Sequence, residues 1–134
     1  MIGIVIVTHG NLAQEFKLAL EHIVGAQENM VAINIAADDD MEKRRNDISE
    51  AIKAVETGAG VIILTDLFGG TPSNMAISMM QDDQVEVIAG INLPMLVKLA
   101  GLRETKTILE AAELAQEAGR KYIHVASKVL QGNE

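Results

Sequence analysis

Apolar residues in this chain fall into short unbroken runs, separated by segments where they recur every three or four positions. Residues 2–8 (Ile-Gly-Ile-Val-Ile-Val-Thr) are the first run. A β-branched run without polar alternation belongs to a strand buried on both faces, as in a parallel sheet. Leu12, Ala13, Phe16, Leu20, Ile23 and Val24 then recur at helical spacing, with Asn11 as cap and Gly25 as stop. Residues 31–35 (Val-Ala-Ile-Asn-Ile) read as a second strand, followed by a helix over about residues 40–57. Asp38, Asp39 and Asp40 precede that helix, where carboxylates complement the positive end of its dipole. Gly58-Ala59-Gly60 closes it.

Residues 61–64 (Val-Ile-Ile-Leu) form a third apolar run. After a Gly-Gly loop, Met75, Ala76, Met79 and Met80 mark a helix whose methionines fill core space. Residues 84–89 predict a fourth strand. Pro94 opens a short helix through Leu99, ended by Gly101. Thr105 or Thr107 starts another that runs to Ala118 and stops at Gly119. Tyr122-Ile123-His124-Val125-Ala126, beside Lys121 and Lys128, predicts a last edge strand. Residues 131–134 are expected to fray. Strands alternating with helices imply βαβ units and right-handed crossovers. The expectation is one α/β domain over residues 1–134, flavodoxin-like in layering. A mainly parallel sheet would carry helices on both faces and a late edge strand; if strands 1 and 3 are neighbours, its order is 2-1-3-4.

Composition narrows what such a domain does. The chain has 134 residues, 49% hydrophobic but only 2% aromatic, so its core is aliphatic. A net charge of -8 argues against nucleic acid, which demands a basic face. With no cysteine, neither disulfides nor a thiolate zinc site is available. Three scattered histidines lack metal-ligand spacing, and no metal or cofactor is expected. The N-terminal Met-Ile-Gly-Ile-Val has no positive n-region, and no apolar run is long enough to span a bilayer. A cytoplasmic domain is therefore expected.

Two strand ends carry the chemistry. The first apolar run ends in Thr8-His9-Gly10; the third continues into Asp66-Leu67-Phe68-Gly69-Gly70-Thr71-Pro72-Ser73-Asn74. In open parallel sheets, ligands sit beyond the carboxyl ends of the strands, where strand order reverses. Order 2-1-3-4 would bring His9 and Asp66 together there. A carboxylate that accepts from one ring N–H fixes the imidazole tautomer and leaves the other nitrogen nucleophilic. It also stabilises the cationic ring formed when that nitrogen bonds to phosphorus. Gly69 and Gly70 would let backbone N–H groups form an anion-binding nest. Thr71 as N-cap and Pro72 as first helical residue would aim a helix start at the site, with Thr71, Ser73 and Asn74 adding side-chain donors. The helix after His9 offers a second such start, with Gly10 allowing close approach. Neither loop contains Lys or Arg, so dipoles alone would hold a phosphoryl group. His22 reads as a surface or packing residue and His124 as structural. Asn92-Leu93-Pro94 either lines the pocket or turns the chain.

Thr8-His9-Gly10, Asp66 with Gly69-Gly70-Thr71-Pro72-Ser73-Asn74, and Ala89-Gly90-Ile91-Asn92-Leu93-Pro94-Met95-Leu96 together resemble the mannose-family IIA domain of the bacterial phosphoenolpyruvate-dependent sugar phosphotransferase system. The motifs keep that family's order across essentially the whole chain. The resemblance implies a phosphocarrier that accepts phosphate from HPr on a histidine and passes it to a IIB component. His9 would be the phosphorylated residue through Nε2, Asp66 its orienting partner at Nδ1, and Thr71 the family's loop hydroxyl. A four-stranded parallel sheet and a homodimer completed by an exchanged C-terminal antiparallel strand are also implied. Some members continue into a IIB domain through an Ala/Pro-rich linker; no such linker is read here, so a separate IIB is expected. The alternative is a stand-alone regulator whose His9 phosphorylation state is sensed by a partner such as a kinase. A phosphohydrolase would usually need a cation clamp, and a flavin module needs aromatics that this chain lacks.

Overall fold

The computed structural model describes residues 1–132. Its elements run β1 (Gly3–His9), α1 (Leu12–Val24), β2 (Met30–Ile35), α2 (Met41–Val55), β3 (Val61–Thr65), α3 (Thr71–Ile77), β4 (Val85–Ala89), α4 (Leu93–Leu102), α5 (Ile108–Lys121) and α6 (Ala126–Leu130). The four strands are all parallel, in the expected order β2-β1-β3-β4. Val5 pairs with Val31 on one side and with Ile63 on the other.

The unalternated strands are explained by two apolar layers, because successive strand residues point to opposite faces. Ile4, Ile6, Ile62 and Leu64 face α1, α4 and α5, packing with Leu20, Leu96, Leu99 and Ala111. Val5, Val7 and Ile63 face α2 and α3, packing with Ile48, Ala51, Val55 and Met75. β1 and β3 are enclosed on both faces except at His9. Among the described residues, no helix is long and apolar enough to cross a membrane.

Two local expectations are corrected and one open alternative, at Asn92, is decided. Residues 122–125 form no strand: α5 runs on through Lys121, the chain turns, and α6 follows. Strand propensity reflects fit to a half-buried pleated surface. Within this chain the segment meets none, with Ile123 72% exposed. Gly101 and Gly119 are not helix stops, for both lie inside helices. Gly119 lets α4 and α5 approach, since a Cβ there would lie 3.1 Å from Met95 Cε. Asn92 proves structural: its Oδ1 accepts from Met95 N (3.0 Å) to cap α4, and its Nδ2 donates to Gly119 O (2.9 Å). Of the tail expected to fray, residues 131–132 form a turn, and residues 133–134 lie outside the described residues.

Candidate functional site

Parallel pairing of β1 with β3, in register Val7 with Thr65, sets the carboxyl ends of both strands side by side. His9 is the last residue of β1, and Asp66 is the first after β3. Asp66 Oδ2 lies 2.8 Å from His9 Nδ1 and also accepts from the His9 backbone N at 3.0 Å. Asp66 Oδ1 accepts from Leu67 N at 3.1 Å. An ionised carboxylate only accepts, so Nδ1 carries the proton and the lone pair of a neutral ring sits on Nε2. Burial alone would raise the Asp66 pKa. Hydrogen bonds from the His9 ring and backbone, with the attraction of a charged ring, outweigh it and hold the carboxyl below its ordinary value. The Asp66 side chain is 10% exposed, while the His9 ring is 49% exposed. The anchor is thus shielded while the ring stays reachable.

The glycine loop lies against that ring. A Cβ on Gly70 would fall 2.9 Å from His9 Cε1 and 3.4 Å from Nε2, so only a bare backbone fits beside the open nitrogen. Gly10 and Gly69 have φ of +54° and +92°, the left-handed region that glycine tolerates best. His9, Gly10 and Thr71 line a cleft of about 430 Å³ whose remaining wall is apolar: Ile35, Ala36, Ala37 and Met41.

The other expected loop donors are placed unequally. Gly70, not Thr71, is the N-cap of α3, and Thr71 and Pro72 are its first helical residues. The exposed Thr71 hydroxyl is therefore not spent on capping. Asn74 is also exposed. Ser73 is fully buried, and its Oγ has no hydrogen-bond partner among the described residues.

The start of α1 differs from expectation. Asn11 makes no side-chain cap bond. Instead Thr8 Oγ1 accepts from Ala13 N at 2.6 Å, Asn34 Oδ1 accepts from Gln14 N at 3.3 Å, and Asn11 O accepts from Glu15 N. The amides of Ala13 and Gln14, expected to face an anion, are engaged within the chain. Sequence reasoning missed Thr8 and Asn34 here, along with Met41 on the cleft wall. Only the adjacency of Thr8 to His9 could have pointed to it. His22 is exposed on α1, and His124 lies beyond α5, so neither joins the site.

Residues 3–116 match the family model described as "PTS system fructose IIA component", of mannose type. The chain belongs to this EIIA family of the sugar phosphotransferase system. It is 28% identical over 132 residues to the fructose-specific EIIA component of Bacillus subtilis (strain 168), covering 98% of this chain and 90% of that protein. It is 35% identical over 122 residues to the mannose-specific EIIAB component of Escherichia coli (strain K12). That match covers 90% of this chain but only 38% of the longer protein. The crystal structure of an EIIA component from Streptococcus agalactiae superposes with a TM-score of 0.86 at 29% identity, covering 96% of this chain and 99% of that one. EIIA components are phosphotransfer proteins, and membership supports a phosphocarrier role in the sugar phosphotransferase system.

Proposed function

We propose that this EIIA chain, one family unit over residues 1–134, carries its phosphoryl group on His9. It would take the group from phospho-HPr in the cytoplasm and deliver it to a IIB component. The carrying observation is the 2.8 Å contact between Asp66 Oδ2 and His9 Nδ1, which leaves Nε2 as the nucleophile on the open side. The Nε2 lone pair attacks phosphorus in line. An N–P bond forms as the donor's P–N bond breaks, and the donor imidazole leaves with that electron pair. His9 keeps its proton on Nδ1, so the phosphorylated ring is cationic, and the Asp66 carboxylate stabilises it without taking the proton. Backbone amides of the Gly69-Gly70 loop and of Ser73, with the Thr71 hydroxyl and the side-chain amide of Asn74, hold the phosphoryl oxygens. Gly10 keeps the opposite rim clear. Both sides of the exchange are phosphoramidates, so the reaction runs either way without metal or nucleotide.

The test is phosphorylation by labelled phosphoenolpyruvate, the general phosphotransfer enzyme and HPr, followed by mapping of the label. The expected product is an acid-labile, base-stable phosphate on His9 that is absent in His9→Ala and discharges onto a IIB component. Label on another residue, or none, overturns the proposal. Label on His9 that never discharges to any IIB, with partners captured only in one phosphorylation state, would favour the regulatory role.

The homodimer belongs to the same proposal. β4 is an edge strand, and a groove of about 350 Å³ beside it is lined by Phe68, Val87 and Leu109 among others. The exposed apolar residues Tyr122, Ile123 and Val125 lie within the segment 122–126 that has strand propensity. A second copy's residues 122–126 added antiparallel to β4 would cover both surfaces. Light scattering should find a dimer for the full chain and a monomer after truncation at Lys121. A monomeric full chain ends the dimer proposal.

A further inference from the structure

We infer that Thr8 is a positioning residue for phosphoryl transfer, acting through the backbone of His9. This rests on the assignment of His9 as the carrier and deepens it. Thr8 is fully buried at the end of β1, on the face opposite the His9 ring. A buried hydroxyl can give one hydrogen bond and accept others, and Thr8 Oγ1 does both. It accepts from Ala13 N at 2.6 Å and donates to the carbonyl O of His9 at 3.2 Å.

These two bonds complete a frame around the nucleophile. The His9 backbone N donates to Asp66 Oδ2 at 3.0 Å, and the next amide, Gly10 N, donates to Ile35 O at 2.8 Å. With Thr8 on the His9 carbonyl, both backbone polar groups of His9 are held, as is the amide that follows. Asp66 fixes rotation of the ring, but it cannot fix where the Cα–Cβ bond starts. Between His9 and α1 the chain passes through Gly10 in a left-handed conformation, a link that is soft on its own. Thr8 Oγ1 ties that link down by fastening the first turn of α1 to the strand end.

In-line transfer depends steeply on the position of the attacking atom. The space beside Nε2 is narrow on one side, where the Gly70 backbone lies against the ring. A small shift of the His9 Cα therefore changes the approach of Nε2 to a donor phosphorus without removing any group that touches the phosphate. Water cannot replace the hydroxyl, because Thr8 is closed to solvent.

Thr8→Val keeps the shape and removes both hydrogen-bonding roles, while Thr8→Ser keeps both roles. Transfer from phospho-HPr should be followed on folded protein, with kcat and KM separated and label mapped to His9 in each variant. The expectation for Thr8→Val is about a tenfold lower kcat with an unchanged KM. Thr8→Ser should stay within about twofold of wild type. A lower melting temperature with wild-type kcat in Thr8→Val would make the residue purely structural and overturn the inference. So would failure of both Thr8→Val and Thr8→Ala to fold. Label absent from His9 in the wild-type protein is a different failure, for it removes the carrier assignment itself.

Discussion

At the amino ends of the strands a buried cation is tied down completely, while at their carboxyl ends a histidine is tied down by half. Arg103 is 3% exposed. Its Nε donates to Ile2 O (3.0 Å), Nη2 to Asn29 O (2.8 Å) and Nη1 to Gln27 Oε1 (3.2 Å). The Ile2 backbone N returns a bond to Arg103 O at 2.8 Å. These contacts join the starts of β1 and β2 to the end of α4. Burial pulls the guanidinium below its ordinary pKa, and the nearby carboxylates of Glu104 and Glu28 oppose that pull. Arg103 makes no direct ion pair among the described residues; its hydrogen-bonded partners are neutral oxygens. At the opposite end, His9 has one nitrogen committed to a carboxylate and the other facing open space beside glycine. The same sheet thus uses one polar residue to close an end and another to keep an end reactive. What separates them is how many nitrogens are engaged: all three of the guanidinium, but one of two in the imidazole, whose other nitrogen keeps its lone pair.

The comparison breaks most visibly at Arg103. Arg103→Met keeps the bulk of the side chain but removes a donor from the carbonyls of Ile2 and Asn29 in a buried setting, where Asn29 O retains only Ile4 N among the described residues. Stability should fall by about 3 kcal/mol, read from urea unfolding. Phosphoryl transfer per folded molecule should not change, because nothing at His9 touches this latch. A matching loss of transfer would mean that the two ends are coupled, and the division drawn here would fail.

Much of this was legible in the chain. Apolar runs without alternation identified buried parallel strands, and strand ends carrying His9 and Asp66 pointed to the reactive edge. The actual contact depended on β1 and β3 being neighbours, which no local pattern encodes; the family resemblance supplied it. Residues 122–126 form no strand within the chain because β-branched and aromatic residues report a preference for a pleated surface, not the presence of one. Gly119 misled because its role is set by Met95, a residue in a different helix. Thr8 was hidden for a related reason. Its bond to Ala13 spans five positions across a turn, outside the usual capping spacing. Arg103 was silent as well: its partners lie 74 to 101 residues away.

A smaller effect should appear at Asp66, and it sharpens the half-tied character of His9. Asp66→Asn keeps an acceptor for Nδ1–H and the His9 amide but removes the charge that stabilises the phosphorylated ring. Transfer should fall about tenfold, with label still on His9. The stability change at neutral pH should be at most about 1 kcal/mol, since the ring it pairs with is half exposed and screened. Its pH dependence has a definite sign. The folded-state pKa of Asp66 lies below the ordinary 3.8, so its contribution is present above that value and is lost as pH falls through the folded value. The stability gap between wild type and Asp66→Asn should therefore be open at pH 7 and close progressively below 3.8, as measured by unfolding midpoints across that range. A gap that widens on acidification would mean that the carboxyl is held neutral in the fold. An acid there could donate to Nδ1, which would move the ring proton to Nε2 and leave the open side of His9 without a nucleophile.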